Sequence, residues 1–141
     1  MKVAQKELWD FIESPNNLDR ITPPWMKFKI VSNPPKKMSN GLLIEYSIGL
    51  PIIGNTTWVS ELKHIEPLVS FVDEQKVGPY GLWYHTHSIE VVDTENCIMH
   101  DSIYYKPPGG VLAPLINWLY IRKSLQAIFE YRCQVMDEIF N

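Results

Sequence analysis

The sequence predicts an α+β domain in which a curved antiparallel sheet wraps around one long C-terminal helix. Between residues 26 and 106 about six extended segments follow one another in hairpin succession. After the breaker at residues 107–110, Pro-Pro-Gly-Gly, the rest of the chain is typical of a single amphipathic helix. Consecutive strands followed by a helix are the order of an α+β domain, and a sheet bent around a helix often leaves a cavity between them. A length of 141 residues suits one such domain, spanning 1–141.

The N-terminal segment predicts two short helices. Leu8, Phe11 and Ile12 have the spacing of an amphipathic helix over residues 3–13, and Ser14-Pro15 ends it. Asn16 or Asn17 then caps a second brief helical turn, which the prolines at positions 23 and 24 end.

The middle of the chain predicts the strands of the sheet. Alternation of apolar and polar residues, bounded by Gly, Pro and Asn, places strands at 26–32, 42–50, 56–66, 68–75, 82–93 and 97–106. Residues 51–55, which contain Gly54, form a connection, and residues 94–96 form a polar hairpin loop.

The last segment, residues 111–140, predicts the long helix. Its apolar stripe is expected to consist of Leu115, Trp118, Leu125, Phe129 and Met136. Pro114 is compatible with the helix only in its first turn, where the missing N–H would have no partner in any case.

Composition and charge argue against several classes of protein. The net charge is −3, with 13 basic and 16 acidic residues and no basic run, so we expect no nucleic-acid partner. The longest apolar run, 111–121, contains Pro114 and Asn117 and is shorter than the roughly 20 residues that span a bilayer, so we expect no stable membrane insertion. Widely spaced Cys97 and Cys133 suggest reduced thiols, and the charged N-terminus is unlike a signal peptide. These features predict a cytoplasmic protein. They do not address the oligomeric state.

The segment 71–87 holds the most chemically capable residues. On the strand after the turn at 78–81, one face consists of Trp83, His85, His87, Ile89 and Val91. The opposite face is polar and typical of a solvated sheet surface. The two imidazoles are therefore expected inside the domain, where they need hydrogen-bond partners. Asp73 and Gln75 share a face with Phe71 on the preceding strand.

Asp101 is the carboxylate that such an interior needs. It lies between Met99 and Ile103 on one strand face, so we expect it to be buried and paired with Arg132 or with a histidine of the neighbouring strand. One reading is a structural ion pair between helix and sheet, and the other is an acid/base pair acting on a carbonyl substrate. The His85-x-His87 spacing also occurs in metal sites, but inward histidines are more often held by hydrogen bonds, so we expect no metal and no cofactor.

Several motifs carry a resemblance to a known family. These segments are residues 17–24 (NLDRITPP), 71–75 (FVDEQ), 78–80 (GPY), 83–87 (WYHTH), 101–105 (DSIYY) and 128–132 (IFEYR). Together they resemble a bacterial branch of the START-related superfamily (SRPBCC), which includes lipid-transfer domains, plant pollen-allergen proteins and polyketide cyclases. The resemblance implies a helix-grip fold with an internal pocket for an apolar or amphipathic ligand. One departure is that only residues 1–3 precede the first predicted helix, where the family fold opens with a strand.

Three functions follow as hypotheses. The first is a ligand-binding module for a small hydrophobic or amphipathic molecule, the second is a cyclase or dehydratase with His85, His87 and Asp101 as catalytic candidates, and the third is an interaction domain with a solid core. Aromatic residues often line apolar sites, and the chain has five Trp and seven Tyr. The predicted ligand-binding residues are Tyr46, Trp58, Phe71, Asp73, Gln75, Trp83, His85, His87, Asp101, Tyr105, Trp118, Phe129 and Arg132. The loops at 78–79 and 107–110 are candidates for the cavity mouth.

Overall fold

The computed structural model describes residues 1–50 and 54–141 and confirms the α+β class. Within these residues, six strands form one antiparallel sheet in which each strand pairs with its neighbours in sequence. The strands are β1 (Lys29–Ile30), β2 (Leu42–Leu50), β3 (Gly54–Glu66), β4 (Ser70–Val77), β5 (Leu82–Val91) and β6 (Cys97–Lys106). The predicted bounds of β2 and β6 are confirmed, whereas most of the predicted connection at 51–55 lies outside the described residues.

The N-terminal segment differs from the prediction of two helices. Only α1 (Gln5–Ile12) is an α-helix, and three 3₁₀ turns follow it at Pro15–Asn17, Asp19–Ile21 and Pro24–Met26. Pro15 at one end of this stretch and Pro23-Pro24 at the other interrupt a regular helix, and the chain forms short 3₁₀ turns instead. Pro23-Pro24 was predicted to end the helical segment, but Pro24 begins the third 3₁₀ turn.

The first predicted strand, 26–32, is reduced to the two residues of β1. Met26 belongs to the last 3₁₀ turn, and Lys27 has the left-handed φ of +46°, which redirects the chain before it reaches the sheet. Similarly, Leu68 has a φ of +69° and lies in the turn before β4, so that strand begins two residues later than predicted.

The segment before α1 lies against the edge of the sheet. Met1 and Cys97 exchange two backbone hydrogen bonds, from the terminal amine of Met1 to the Cys97 carbonyl and from the Cys97 N–H to the Met1 carbonyl, each 3.3 Å long. This mutual pairing resembles that of a residue in an antiparallel strand. Met1 therefore pairs with the edge strand β6 as a strand residue would, but the pairing is only one residue long.

The C-terminal segment is helical from residue 110 to residue 140 but is not uniform. A 3₁₀ turn (Gly110–Leu112) leads into α2 (Ala113–Ile116), a π-helical turn (Asn117–Ile121) and α3 (Arg122–Phe140). Pro114 lies in the first turn of α2, as predicted. None of the helices in the described residues is long and apolar enough to cross a membrane.

The predicted apolar stripe of this helix is wrong in its first half. Leu115 and Trp118 are exposed, and Ile116 and Ile121 face inward instead. The π-turn has one residue more than an α-helical turn, so it rotates the inward face by one position relative to a regular stripe. The stripe is correct in the second half, where Met136 is buried.

One part of the core lies where α1, the second half of α3 and one end of the sheet meet. Leu8 and Trp9 of α1 are buried there, Trp9 packs edge-on against Phe71, and Phe11 packs against Phe140. At the other end of the sheet, the first half of the helical segment does not fill the concave face.

Candidate ligand-binding site

A cavity of about 290 Å³ lies between the sheet and the C-terminal helical segment. This volume is at the lower end of the range for small-molecule sites, about 300–1,000 Å³. Its walls are mostly apolar and come from the 3₁₀ turns, from β2 to β5, from the loop after β6 and from the helix. Representative wall residues are Met26, Phe28, Ile48, Leu50, Ile121 and Ile128.

The cavity runs along the helix. Ile121, Leu125, Phe129 and Arg132 line it at spacings of four, four and three residues, as one face of an α-helix does. A rise of 1.5 Å per residue places Arg132 about 16 Å along the axis from Ile121. Pro108 and Gly109, from a loop proposed as the mouth, line the cavity too.

A buried hydroxyl organises the first polar group of the site. Ser60 is fully buried, and its Oγ accepts a hydrogen bond from Trp58 Nε1 at 3.0 Å. It also contacts the Tyr46 hydroxyl and donates to Asp73 Oδ1 at 2.5 Å. Ser60 therefore donates once and accepts twice, which uses its full capacity. Its partners Tyr46, Trp58 and Asp73 all reach the cavity wall.

Burial controls the proton affinities of this group. It raises the pKa of the Asp73 carboxyl, and the Ser60 hydrogen bond and the charges of His87 and Arg132 oppose the rise without cancelling it. Burial also raises the pKa of Tyr46 well above its ordinary value, and the neighbouring Asp73 charge adds to the rise. The first group thus favours protonated forms.

The second polar group converges on one oxygen atom, Asp101 Oδ1. His85 Nε2 and His87 Nδ1 each lie 2.8 Å from it, and Arg132 Nη1 lies 3.7 Å from it. Only His85 is aligned for a hydrogen bond, and His87 Nδ1 has no aligned partner in the described part of the chain. Strand pairing causes this convergence, since His87 is directly opposite Asp101 on β6 and His85 is two residues away on the same face.

These contacts determine the protonation states of His85 and Asp101. Burial lowers the pKa of His85 to about 3, the nearby His87 contributes further, and the hydrogen bond to Asp101 only partly opposes the shift. Burial alone would raise the pKa of Asp101, but the hydrogen bond with His85, the close contact with His87 and the charge of Arg132 hold it well below its usual range. At neutral pH, His85 is a neutral imidazole and Asp101 a carboxylate.

Arg132 brings a cation to the cavity wall. Its side chain is 13% exposed, and its guanidinium carbon lies 5.0 Å above the centre of the Phe129 ring. Nε and Nη1 are buried, and neither has a hydrogen-bond partner within residues 1–50 and 54–141. Such groups are rare in proteins, because buried N–H donors normally find acceptors.

His85, His87 and Asp101 also offer three potential metal-ligand atoms within 4.8 Å of one another. Two imidazoles and a carboxylate are a common ligand set. However, the Arg132 guanidinium lies 3.7 Å from the carboxylate oxygen that would bind the ion, and a second cation there would be repelled. The expectation of no metal stays a prediction.

The structure brings about half of the predicted ligand-binding residues to the cavity wall. These are Tyr46, Trp58, Asp73, Trp83, His85, Phe129 and Arg132. Phe71 and His87 stack on each other at 4.4 Å in the layer behind the wall, and Asp101 also lies behind it.

Three further predicted residues have other positions. Gln75 hydrogen-bonds the backbone of Tyr80 through both ends of its amide and so fastens the turn before β5. The Tyr105 hydroxyl donates to Asn117 Oδ1 and connects β6 to the π-turn. Trp118 is 68% exposed and does not line the cavity, so the prediction that it forms part of the cavity wall is wrong.

Ser60 and Tyr80 are site residues that the sequence analysis missed. Ser60 had a detectable signal, because it lies two residues from both Trp58 and Leu62 on an inward face, where a hydroxyl requires partners. Tyr80 lies in a turn, and no spacing rule places it. Burial, with a contribution from Tyr105, raises the pKa of Tyr80 to about 12.

No protein-family model and no curated protein match the chain. Among solved structures, the fold is similar to that of protein Ms6760 from Mycobacterium smegmatis, with a TM-score of 0.64. The match covers 99% of this chain and 85% of that one. At 10% sequence identity, this similarity concerns the fold alone.

Proposed function

We propose that this protein is a helix-grip domain of the START-related (SRPBCC) type that binds a small hydrophobic or amphipathic molecule in its internal cavity. The observation that carries the proposal is an apolar cavity between sheet and helix with a few polar groups in its wall. Small-molecule sites have this composition, since apolar walls supply affinity and sparse polar groups set orientation. The strand order and the motifs of the central strands support the family.

The distribution of polar groups favours an amphipathic ligand. Asp73 and His85 face each other on β4 and β5, and Arg132 of α3 acts electrostatically on both. The helical wall from Leu125 back to Ile121 is mostly apolar, with Ser124 as its polar residue. A molecule with one polar end and an apolar body would satisfy both parts of the cavity.

A cyclase or dehydratase is the second candidate, because of Asp73. A carboxyl with a raised pKa that borders a cavity is suited to donate a proton to a substrate carbonyl. His85 is poorly suited as its partner, since an imidazole with a pKa of about 3 is a weak base at neutral pH. The binding function is therefore the first choice.

The binding proposal is tested with an uncharged solvatochromic dye such as Nile red and with native mass spectrometry of gently purified protein. Wild type should bind the dye with a blue-shifted emission. Leu125→Trp, which places a large side chain in the cavity, should lose most of the signal. Ala127→Trp is the matched control, because Ala127 is exposed on the same helix.

Far-UV circular dichroism of each variant verifies that the fold is intact. Equal dye binding by wild type and Leu125→Trp would place the dye elsewhere and contradict the proposal. The proposal would also be contradicted if wild type bound no dye and carried no co-purified ligand.

A further inference from the structure

Arg132 has buried N–H groups at the cavity wall that need hydrogen-bond acceptors. Its Nε and Nη1 are buried and lack an acceptor in the described residues, although the residue lines the cavity wall. A buried N–H without a partner is unfavourable, more so on a charged group. Its position on the wall means that a bound molecule can supply the missing acceptor.

The carboxyl groups around Arg132 already have other hydrogen-bond partners. Asp101 Oδ1 accepts a hydrogen bond from His85 and is approached by His87, both at 2.8 Å, whereas Arg132 remains 3.7 Å away. Asp73 accepts a hydrogen bond from Ser60.

The Phe129 ring below the guanidinium supplies only a π face. Neither carboxylate therefore gives the guanidinium the paired geometry that it prefers.

We infer that the ligand is an organic acid whose carboxylate binds the guanidinium of Arg132, with its apolar body along the helix toward Ile121. This inference rests on the proposed binding function and specifies the class of ligand. The planar guanidinium matches a carboxylate through two parallel N–H···O bonds. The helix presents mostly apolar side chains over the about 16 Å from Arg132 to Ile121, and this length suits an extended or ring-bearing hydrocarbon body.

A single negative charge fits this end of the cavity better than two. Asp73 and Asp101 both lie close enough to Arg132 for its charge to affect their proton affinity. A dianionic head such as a phosphate monoester would place two charges beside these carboxyls with one cation to balance them. A neutral alcohol would offer the buried N–H groups only a single uncharged acceptor. A monocarboxylate satisfies the guanidinium with the least repulsion.

The test uses three probes with the same hydrocarbon chain, decanoate, decanol and decylamine, which compete with Nile red for wild-type protein at neutral pH. Decanoate should bind about tenfold or more tightly than decanol, as expected for a charge-assisted hydrogen bond. Decylamine should be the weakest competitor, because its cation meets Arg132.

Arg132→Gln should lose the preference for the acid, so that decanoate and decanol compete with the dye with similar affinity. Arg132→Lys keeps the positive charge but loses the planar guanidinium that forms two parallel hydrogen bonds. It should show an intermediate preference for decanoate over decanol. Arg122→Gln is the matched control, because Arg122 is exposed on the same helix, and it should keep the wild-type preference.

The outcomes separate the two proposals. If the dye binds in the cavity and decanol competes as well as decanoate in wild type, the binding function stands and the acid specificity is wrong. If neither the dye nor any probe binds, the binding function itself is wrong. If Arg132→Gln fails to fold, as judged by circular dichroism, the wild-type preference and Arg132→Lys decide the question.

Discussion

His85 shows how burial decides the state of a titratable residue. Its side chain is 5% exposed, and this burial keeps the imidazole neutral far below its ordinary pKa, although the hydrogen bond to Asp101 acts in the opposite direction. His100 on the outer face differs, because it pairs with Glu90 in solvent. The same residue type is thus an internal hydrogen-bond donor at one position and a surface group at the other.

His85 predicts a pH dependence of stability. Its pKa in the folded protein, about 3, is below the ordinary 6.5, so the unfolded chain binds a proton first as the pH falls. Stability should therefore decrease from about pH 6.5 toward pH 3, by up to about 1.4 kcal/mol per pH unit. Asp101 acts in the same direction only below its ordinary pKa of 3.8. Asp73, whose pKa is raised, opposes the decrease.

Urea unfolding of wild type and His85→Gln between about pH 7 and pH 5 isolates the His85 contribution. The variant should lose less stability per pH unit than wild type. His100→Gln is the control and should keep the wild-type slope. Identical slopes for wild type and His85→Gln would show that His85 is not held neutral by the fold.

The C-terminal helix has different roles in its two halves. Met136 of α3 is 3% exposed and belongs to the core with α1, whereas Leu125 lines the cavity and Leu115 faces outward. The π-turn lies in the half that borders the cavity. One half therefore stabilises the fold, and the other shapes the site.

Alanine substitutions along this helix should show that division. Met136→Ala should destabilise by about 2–5 kcal/mol, because it opens a cavity in packed core. Leu125→Ala should cost less, about 1–2 kcal/mol, because its side chain already borders open space. Leu115→Ala should change stability by less than about 0.5 kcal/mol. Free energies of unfolding in urea give the order, and equal losses at Met136 and Leu125 would contradict the assignment.

The whole molecule is built around one continuous core. Val3 before α1, Ile44 of β2, Ile89 of β5 and Met136 of α3 belong to the same buried cluster. The cavity lies beside this cluster and does not divide it into separate units. Sheet and helix are therefore expected to depend on each other for stability.

This arrangement predicts a single cooperative unfolding transition. Tryptophan fluorescence reports on all five Trp residues, of which Trp58 and Trp83 lie in the sheet, and far-UV circular dichroism at 222 nm reports mainly on the helix. The two urea curves should coincide in midpoint and slope. Loss of the circular dichroism signal before the fluorescence change would show that the helix unfolds independently.

Much of the fold could be predicted from local pattern. The bounds of β2 and β6 follow from the alternation of apolar and polar residues and from the Gly, Pro and Asn residues that flank them. The parity of the residue number within a strand also places His85, His87 and Asp101 on inward faces. Parity works over a strand because each residue reverses the direction of the side chain. It fails at Lys27, where one left-handed residue redirects the chain and shortens β1.

The composition of the site depended on packing between distant segments. Leu115 and Trp118 fit the spacing of a regular helical stripe, but both side chains are exposed because of the π-turn. The spacing of apolar residues does not reveal such a turn. His87 and Asp101 face inward as predicted but lie behind the cavity wall. Two N–H groups of Arg132 lack hydrogen-bond partners in the described residues, because α3 brings them to a carboxylate that histidines on β5 already contact. Periodicity determines which face a residue occupies within its own element, whereas the contacts between elements determine whether that face meets core, cavity or solvent.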